Sequence, residues 1–339
     1  VALISCFPAL VFAGGNEFPG NGTEALGRGA AFTAKASDAT AFDYNVAGFA
    51  QQRGTRLLLD ANLVWNDYTF QRFGKDPNNN NMPYASVANS GGIFFAPFFG
   101  LSTDFGKFDR FTMAFGIFGP SSVGNRTFPT TVNGVAAPSR YDITKLNLLL
   151  FFPTLAAAVR VTHWMDIGAQ LQLVYGTFDL GNVANVPLGP NFCPGGAQYA
   201  PCDVATRIQT TGVTATAALG LMFHVQRFLD IGVHVRGPVN LHTTGTVTPT
   251  VRDDAPSFLK GQMLMTSPAT FDTKLPWVVR LGLRYIFRSK RDGFEAGDIE
   301  VDGVYEAWKQ AEGVGDQVQI PMLGLISNIN PIITHNYQD

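Results

Sequence analysis

Segments of alternating polarity, joined by connections that are long, then short, then long again, constrain this 339-residue chain more than any other feature. In 164–177, Met165, Ile167, Ala169, Leu171, Leu173 and Tyr175 alternate with Asp166, Gly168, Gln170, Gln172, Val174 and Gly176. The stretch 228–236 sets Leu229, Ile231, Val233 and Val235 against Asp230, Gly232, His234 and Arg236. In 277–287 Trp277, Val279, Leu281, Leu283, Tyr285 and Phe287 alternate with Arg280, Gly282 and Arg284, and in 299–308 the polar face carries Glu300, Asp302 and Glu306. The stretches 56–66 and 210–224 alternate too. Period two is the repeat of a half-buried strand, and several of these runs exceed the usual length of about 5–6 residues. Between them lie long connections at 72–90, 120–145, 182–208, 251–270 and 310–333, and short ones at 104–109, 162–164, 226–227 and 288–293. A soluble all-β adhesin or lectin explains the alternation but not this asymmetry of connections. A transmembrane antiparallel barrel, with tight turns at one rim and extended loops at the other, explains both. Trp65, Tyr68, Trp164, Tyr175, Trp277, Tyr285, Phe287 and Trp308 stand near strand ends, as interfacial girdles do. The count is about nine complete strands, with a tenth beginning near Ile333.

Composition agrees. Charged residues make up 15%, well below the roughly 25% of soluble domains. No run approaches the ~20 apolar residues of a membrane helix: 1–13 is too short, and 146–159 is interrupted by Asn147 and Pro153. With a net charge of −2 and no Lys/Arg cluster, the chain has no electrostatic footprint for nucleic acid. Residues 1–13 read as the tail of a secretory signal peptide, with Val11 and Ala13 at the −3 and −1 positions before Gly14. A lipoprotein box at Leu3-Ile4-Ser5-Cys6 is the rival reading, and either one exports the protein. Cys193 and Cys202 then remain, eight residues apart in a Gly/Pro-rich loop, which favours a disulfide worth roughly 2–3 kcal/mol. No further soft ligands stand nearby for a zinc site, so no metal is expected.

The stretch 20–50 is of another kind. It is rich in Ala and Gly, its charges Glu24, Arg28, Lys35, Asp38 and Asp43 stand singly, and 25–31 and 33–41 could each form a turn or two of helix. Neither piece has an apolar face able to build a core. Small residues suit a segment threaded through something larger. A phosphate-binding loop is the competing reading of the glycines, but no strand leads into Gly20 and no Gly-Lys-Ser/Thr follows.

Gly27-Arg28-Gly29-Ala30, then Asp38-Ala39, then Asn45-Val46-Ala47-Gly48 resemble the N-terminal hatch of the FadL-like outer-membrane transporters. In that family D-A precedes N-P-A-G; here Val46 replaces the proline. The L-P-x-x-x-R-L-G-x-x-Y of 275–285 and D-I-E-V-D of 298–302 are similar to two consecutive family strands. The resemblance implies a 14-stranded barrel that moves long-chain fatty acids or aromatic hydrocarbons. About four strands would then follow Asp339, and the chain would be cut at both ends. It divides the sequence into the signal remnant 1–13, a hatch 14–53 and a barrel 54–339, and makes Asp38, Asn45, Val46, Ala47 and Gly48 the gating residues. It also implies that external loops form a first hydrophobic site, and that a kink in the strand 111–118 opens a side exit.

No catalytic constellation is present: G-x-S-x-G and H-E-x-x-H are absent, and the five histidines are scattered. On the lumen face, Arg236, Arg280 and Arg284 stand beside Glu300, Asp302 and Glu306. One reading pairs Arg280 and Arg284 with Glu300 and Asp302 across strands; the other leaves an arginine to receive a substrate carboxylate. In the loop 251–270, Phe258, Leu259, Met263 and Leu264 are apolar for an exposed segment, which marks a ligand groove or a lid. Gly116, Gly119 and Pro120 either bend the wall or merely end a strand. The expectation is a monomeric, non-enzymatic outer-membrane channel, embedded in lipid and lipopolysaccharide and without cofactor. It would admit hydrophobic small molecules past a hatch: long-chain fatty acids first, aromatic hydrocarbons or general porin solutes as alternatives.

Overall fold

The computed structural model describes residues 20–65, 67–76, 79–119, 125–185, 199–262, 265–289, 291–310, 316–323, 326–329 and 332–333. Six strands follow one another as antiparallel neighbours: β1 (Thr55–Val64), β2 (Phe94–Thr103), β3 (Phe111–Phe118), β4 (Ile143–Thr162), β5 (Met165–Asn185) and β6 (Asp203–Gln226). The next strands are broken. β6 pairs along one half with β7 (Leu229–Arg236) and along the other with β8 (Val239–Val251). β8 pairs with β9 (Ser267–Leu275), and β7 with β10 (Val278–Arg288). Register is the same either side of the break, so Pro238 falls opposite Pro276, each without an N–H to give the ladder. β10 pairs with β11 (Glu295–Glu306), β9 with β12 (Asp316–Leu323), and β12 with β13 (Ile326–Ile329). The wall is therefore one antiparallel sheet. No helix among the described residues is long and apolar enough to cross a membrane.

Burial along this sheet is inverted relative to a water-soluble protein. On β5, Asp166, Gly168, Gln170 and Gln172 are buried, whereas Leu171 is 57% and Leu173 50% exposed. Val213 and Leu219 on β6, Leu281 and Leu283 on β10, and Ile299 and Val301 on β11 point outward in the same way. So continuous an apolar exterior is a lipid-facing belt. From Met165 to Tyr175 it spans ten steps of about 3.3 Å, or roughly 25 Å once tilted at ~40°.

Above the belt the pattern reverses on the same strands. Val174, Phe178 and Leu180 of β5, Ile208 of β6, Leu241 and Val247 of β8 and Phe271 of β9 form one buried cluster facing inward. Outward stand Asp179, bonded by Lys145 (2.5 Å) and Arg207 (2.8 Å), and the His242–Asp272 pair. The upper strands are thus built for water outside and apolar matter inside.

The structure alters several sequence expectations. The segment 310–333 is not one loop: β12 and β13 lie within it, because strand formation resumes at Asp316. Helical turns occur at α1 (Thr23–Gly27), α2 (Ala41–Tyr44) and a 3-10 turn at Val46–Gln51, and 33–40 is not helical. Trp308 is not a girdle residue; it is buried, and its indole donates to Glu306 Oε2 at 2.5 Å. Residues 1–19 lie outside the described residues. If the outward face of β5 lies in lipid, Leu171→Arg is expected to cost about 2–4 kcal/mol in urea unfolding from liposomes. Gln209→Arg, outward but above the belt, should change stability by about 0.5 kcal/mol or less in the same assay.

Candidate functional site: the hatch against the lumen wall

Residues 20–53 lie against the inner face of the sheet as a compact strap. It contains two short helices, and its path needs left-handed backbone at Gly29, Ala30 and Ala36 (φ 66, 68 and 33°). Asn45 organises the centre. Its Oδ1 accepts from Ala47 N at 3.1 Å and so starts the 3-10 turn. Its Nδ2 donates to Thr33 O (2.9 Å) and to Leu221 O of β6 (3.0 Å). Val46, Ala47 and Gly48 are all fully or nearly fully buried. Gly48 is required by contact: a Cβ there would lie 2.7 Å from that of Ala36. Val46, in place of the family proline, packs into the main buried cluster. Asp38 is held within the strap, its Oδ1 accepting from Thr40 N (2.8 Å) and Oγ1 (2.5 Å). Burial pushes its carboxyl above the usual range, and these two bonds partly offset that.

The wall makes room for the strap with glycines. Gly100 pairs with Gly116, Gly168 with Gly220, and Gly232 with Gly282 across neighbouring strands. A Cβ at Gly100 would sit 2.6 Å from that of Ala39, at Gly116 2.5 Å from the Phe42 ring, and at Gly168 2.5 Å from Val46 C. At Gly220 it would meet Ala47 N at 2.7 Å, and at Gly282 Ala34 N at 2.8 Å. Backbone therefore lies on backbone at two of these pairs, Gly168–Gly220 and Gly232–Gly282, and strap side chains fill the space at the third. Except for Gly116, which the sequence offered as a kink or a strand end, these glycines are the principal site residues that reading missed. Their signal was their placement on the inward face at paired positions.

Carboxylates hold the other half of the strap. Asp302 Oδ2 accepts from the N–H groups of Phe32 and Thr33 (2.9 Å each), and Glu300 Oε1 from Ala34 N (2.6 Å). Arg28 donates to Asp298 (2.7 Å) and Glu300 (3.0 Å). The expected pairing of Arg280 and Arg284 with Glu300 and Asp302 does not form, because the strap occupies those acids. Arg284 instead binds Asp298 (2.5 Å), Glu295 (2.5 Å) and Asp230 (3.2 Å), so all three of its nitrogens serve the wall. Asp230 in turn meets His224 (2.7 Å), His224 meets Asp166 (3.1 Å), and Asp166 meets Arg160 (2.9 Å). A ladder of charge thus runs from β4 to the hatch.

Arg280 stands apart from this ladder. It is buried, makes no ion pair among the described residues, and its Nε has no hydrogen-bond partner. Its guanidinium lies 5.6 Å from the Tyr44 ring centroid. The buried His234 Nδ1 and Gln172 Oε1 also lack partners. With Arg236, Phe42 and Asp43 these residues line a slit between strap and wall that has no room for a water molecule.

At the loop rim a cavity of about 130 Å³ is lined by Val183, Ala205, Val251, Arg140, Asp203 and Arg252. Arg140 Nε and the Tyr141 hydroxyl both donate to Asp203, at 2.7 and 2.8 Å. Beside it, α3 (Ser257–Gln262) buries Leu259 on Val204 while Phe258 stays 40% exposed. Met263 and Leu264 lie outside the described residues, as do Cys193 and Pro120. Cys202 is buried and disulfide-bonded. β3 keeps an unshifted register with both neighbours, and the space at Gly116 is taken by Phe42, so neither observation bends this strand.

An antiparallel sheet with a lipid-facing exterior, a polar inner wall and an N-terminal segment seated against that wall defines a plugged transmembrane β-barrel. The fold is that of the FadL-like outer-membrane transporters. Similar solved structures include a Pseudomonas aeruginosa FadL homologue (TM-score 0.68, 13% identity, 95% of this chain and 75% of that one). The Ralstonia pickettii toluene transporter TbuX gives 0.69 at 17% identity, covering 94% and 80%. The P. putida toluene transporter TodX gives 0.67 at 14%, covering 93% and 76%. No protein-family model matches the sequence, and no curated protein matches it. If the paired glycines seat the strap, Gly168→Val with Gly220→Val will unseat it by overpacking. Leak of a small sugar into proteoliposomes should then rise about tenfold, while the heat-dependent gel shift of a folded barrel persists.

Proposed function

We propose that the protein is a passive, hatch-gated outer-membrane channel for hydrophobic compounds, and that its substrates are long-chain fatty acids. It is a transport protein rather than an enzyme, working as a monomer among outer-membrane lipid and lipopolysaccharide. One observation carries the choice of substrate: Arg280, a buried cation beside the hatch, with no ion pair among the described residues and an unmet N–H. A desolvated charge is costly without a counter-ion, and a guanidinium is well shaped to take a carboxylate. His234 Nδ1 lies in the same slit and can share the anion. The apolar inner face above it, with Phe178, Leu241 and Phe271, suits an alkyl chain.

An aromatic hydrocarbon is the second reading. It is favoured by the rings behind the hatch, where Phe118 stacks on Phe42 (5.7 Å) and Phe98 (5.4 Å). In that case Arg280 has no ligand to meet.

The test is uptake of labelled oleate, xylene and a small sugar by cells that lack their own hydrophobic-compound channel and express the full-length protein. Oleate should enter faster than xylene, and sugar not above background. Arg280→Gln should slow oleate about tenfold, as the loss of a charge-assisted hydrogen bond would, and leave xylene unchanged. Sugar entering as fast as oleate would leave a general porin.

A further inference from the structure

The strap is held to the wall by two different kinds of contact, and they divide it. Residues 28–34 are fastened by charge. Five hydrogen bonds run from Arg28 and the N–H groups of Phe32, Thr33 and Ala34 to Asp298, Glu300 and Asp302. The side chain of Glu300 is fully buried and that of Asp298 nearly so, so the three bonds to these two carboxylates lie away from water. Residues 38–52 have no ion pair to the wall among the described residues. Their polar contacts are neutral: Gln170 to Phe42 O (2.9 Å), Asn45 to Leu221 O (3.0 Å), Ser102 to Gln52 (2.6 Å) and Thr112 to Gln52 O (3.2 Å). Neutral bonds are individually weaker than bonds to charge, and the remainder of this segment's hold is apolar, through Phe42, Val46 and Phe49.

The second segment is also bounded by turning points. At one end is Ala36 with φ 33°, and at the other Gly54 with φ 71°, whose N–H is fixed by Asp104 at 2.8 Å. Two side-chain contacts bridge the segments: Asn45 donates to Thr33 O, and the buried Phe32 and Tyr44 rings meet edge to face at 5.5 Å.

We infer that the hatch opens in two parts. Residues 28–34 remain anchored to β11 by Asp298, Glu300 and Asp302, while 38–52 lift as a strap between Ala36 and Gly54. Phe42, Asp43 and Tyr44 ride on the moving part, and they close the slit over Arg280. Lifting the strap therefore uncovers that cation, and the Asn45 bond to Thr33 and the Phe32–Tyr44 ring contact are the clasps that must let go. This rests on the channel reading. It makes the three acids positioning residues for the gate, whichever hydrophobic ligand passes.

Two measurements test it. In the full-length protein in micelles, hydrogen exchange of amides 39–51 should speed up about tenfold when oleate or xylene is added, as expected for local opening. The amides of Phe32, Thr33 and Ala34 should not change. Ala39→Cys with Gly100→Cys, whose Cβ atoms would start 2.6 Å apart, ties the strap to β2. Once oxidised, it should lower uptake at least about tenfold relative to the same variant after reduction. The reduced double variant, checked for the folded-barrel gel shift, is the reference, because a Cβ at Gly100 already crowds Ala39 and the two must part by about 1 Å to bridge. If amides 32–34 open together with 39–51, the hatch moves as one body and the inference fails. Full uptake through the oxidised pair would also overturn it. Absence of oleate and xylene uptake by the wild type would instead defeat the channel reading, and the gate with it.

Discussion

A polar inner wall and a strap without a core of its own each leave groups unmet, and the fold depends on their meeting each other. Asp302 and Glu300 are withdrawn from water and need donors; Phe32, Thr33 and Ala34 carry N–H groups that no helix or strand uses. Buried polar groups without partners are expensive. The strap and the wall therefore stabilise one another through satisfied polar groups as well as through the apolar cluster that Phe42, Val46 and Phe49 share with Phe98, Phe118 and Met222. The paired glycines serve the same end, because only bare backbone lets the strap come within bonding distance of Leu221 O.

The wall itself obeys two solvents in turn. Within the belt, lipid outside and the strap inside place Leu171 outward and Gln170 inward. A few residues further along β5, water outside reverses the choice, and Phe178 turns inward while Asp179 faces out. The change occurs without a break in β5, since the hydrophobic effect acts on whichever face water leaves. In β7–β10 it coincides with the interruption at Pro238 and Pro276. The outcome is a polar inner wall at the height of the membrane beneath an apolar inner face.

Much of this was legible. Period-two runs marked the strands, connection lengths marked the two rims, and Gly27–Ala30 with Asn45–Gly48 marked the hatch. Leu171/Gln172 alternation alone reads the same in a soluble sandwich, so the lipid face was legible only through the asymmetry of the connections; the reversal above the belt, where Asp179 stands outward, was not legible. Arg284 and Glu300 are in register across β10 and β11, so a cross-strand pair was the natural expectation. It failed because a segment some 270 residues earlier competes for Glu300, and sequence distance hides such competitors. The glycines opposite each other were hidden for the same reason: pairing of Gly168 with Gly220 exists only once register is known.

The hatch donors and their acceptors lie 266–272 residues apart, so the earliest described segment of the chain is completed by one of the later strands. Contacts of such separation form late, since the loop between them must close first. While the wall is being assembled, residues 28–34 have no acceptors to settle on. They can be seated only after β11 has paired with β10 and aligned Asp298, Glu300 and Asp302 on one face. Docking of this half of the hatch is therefore a record of assembly: residues 38–52 find their partners on β2, β3, β5 and β6, whereas a seated 28–34 reports that β11 is in place.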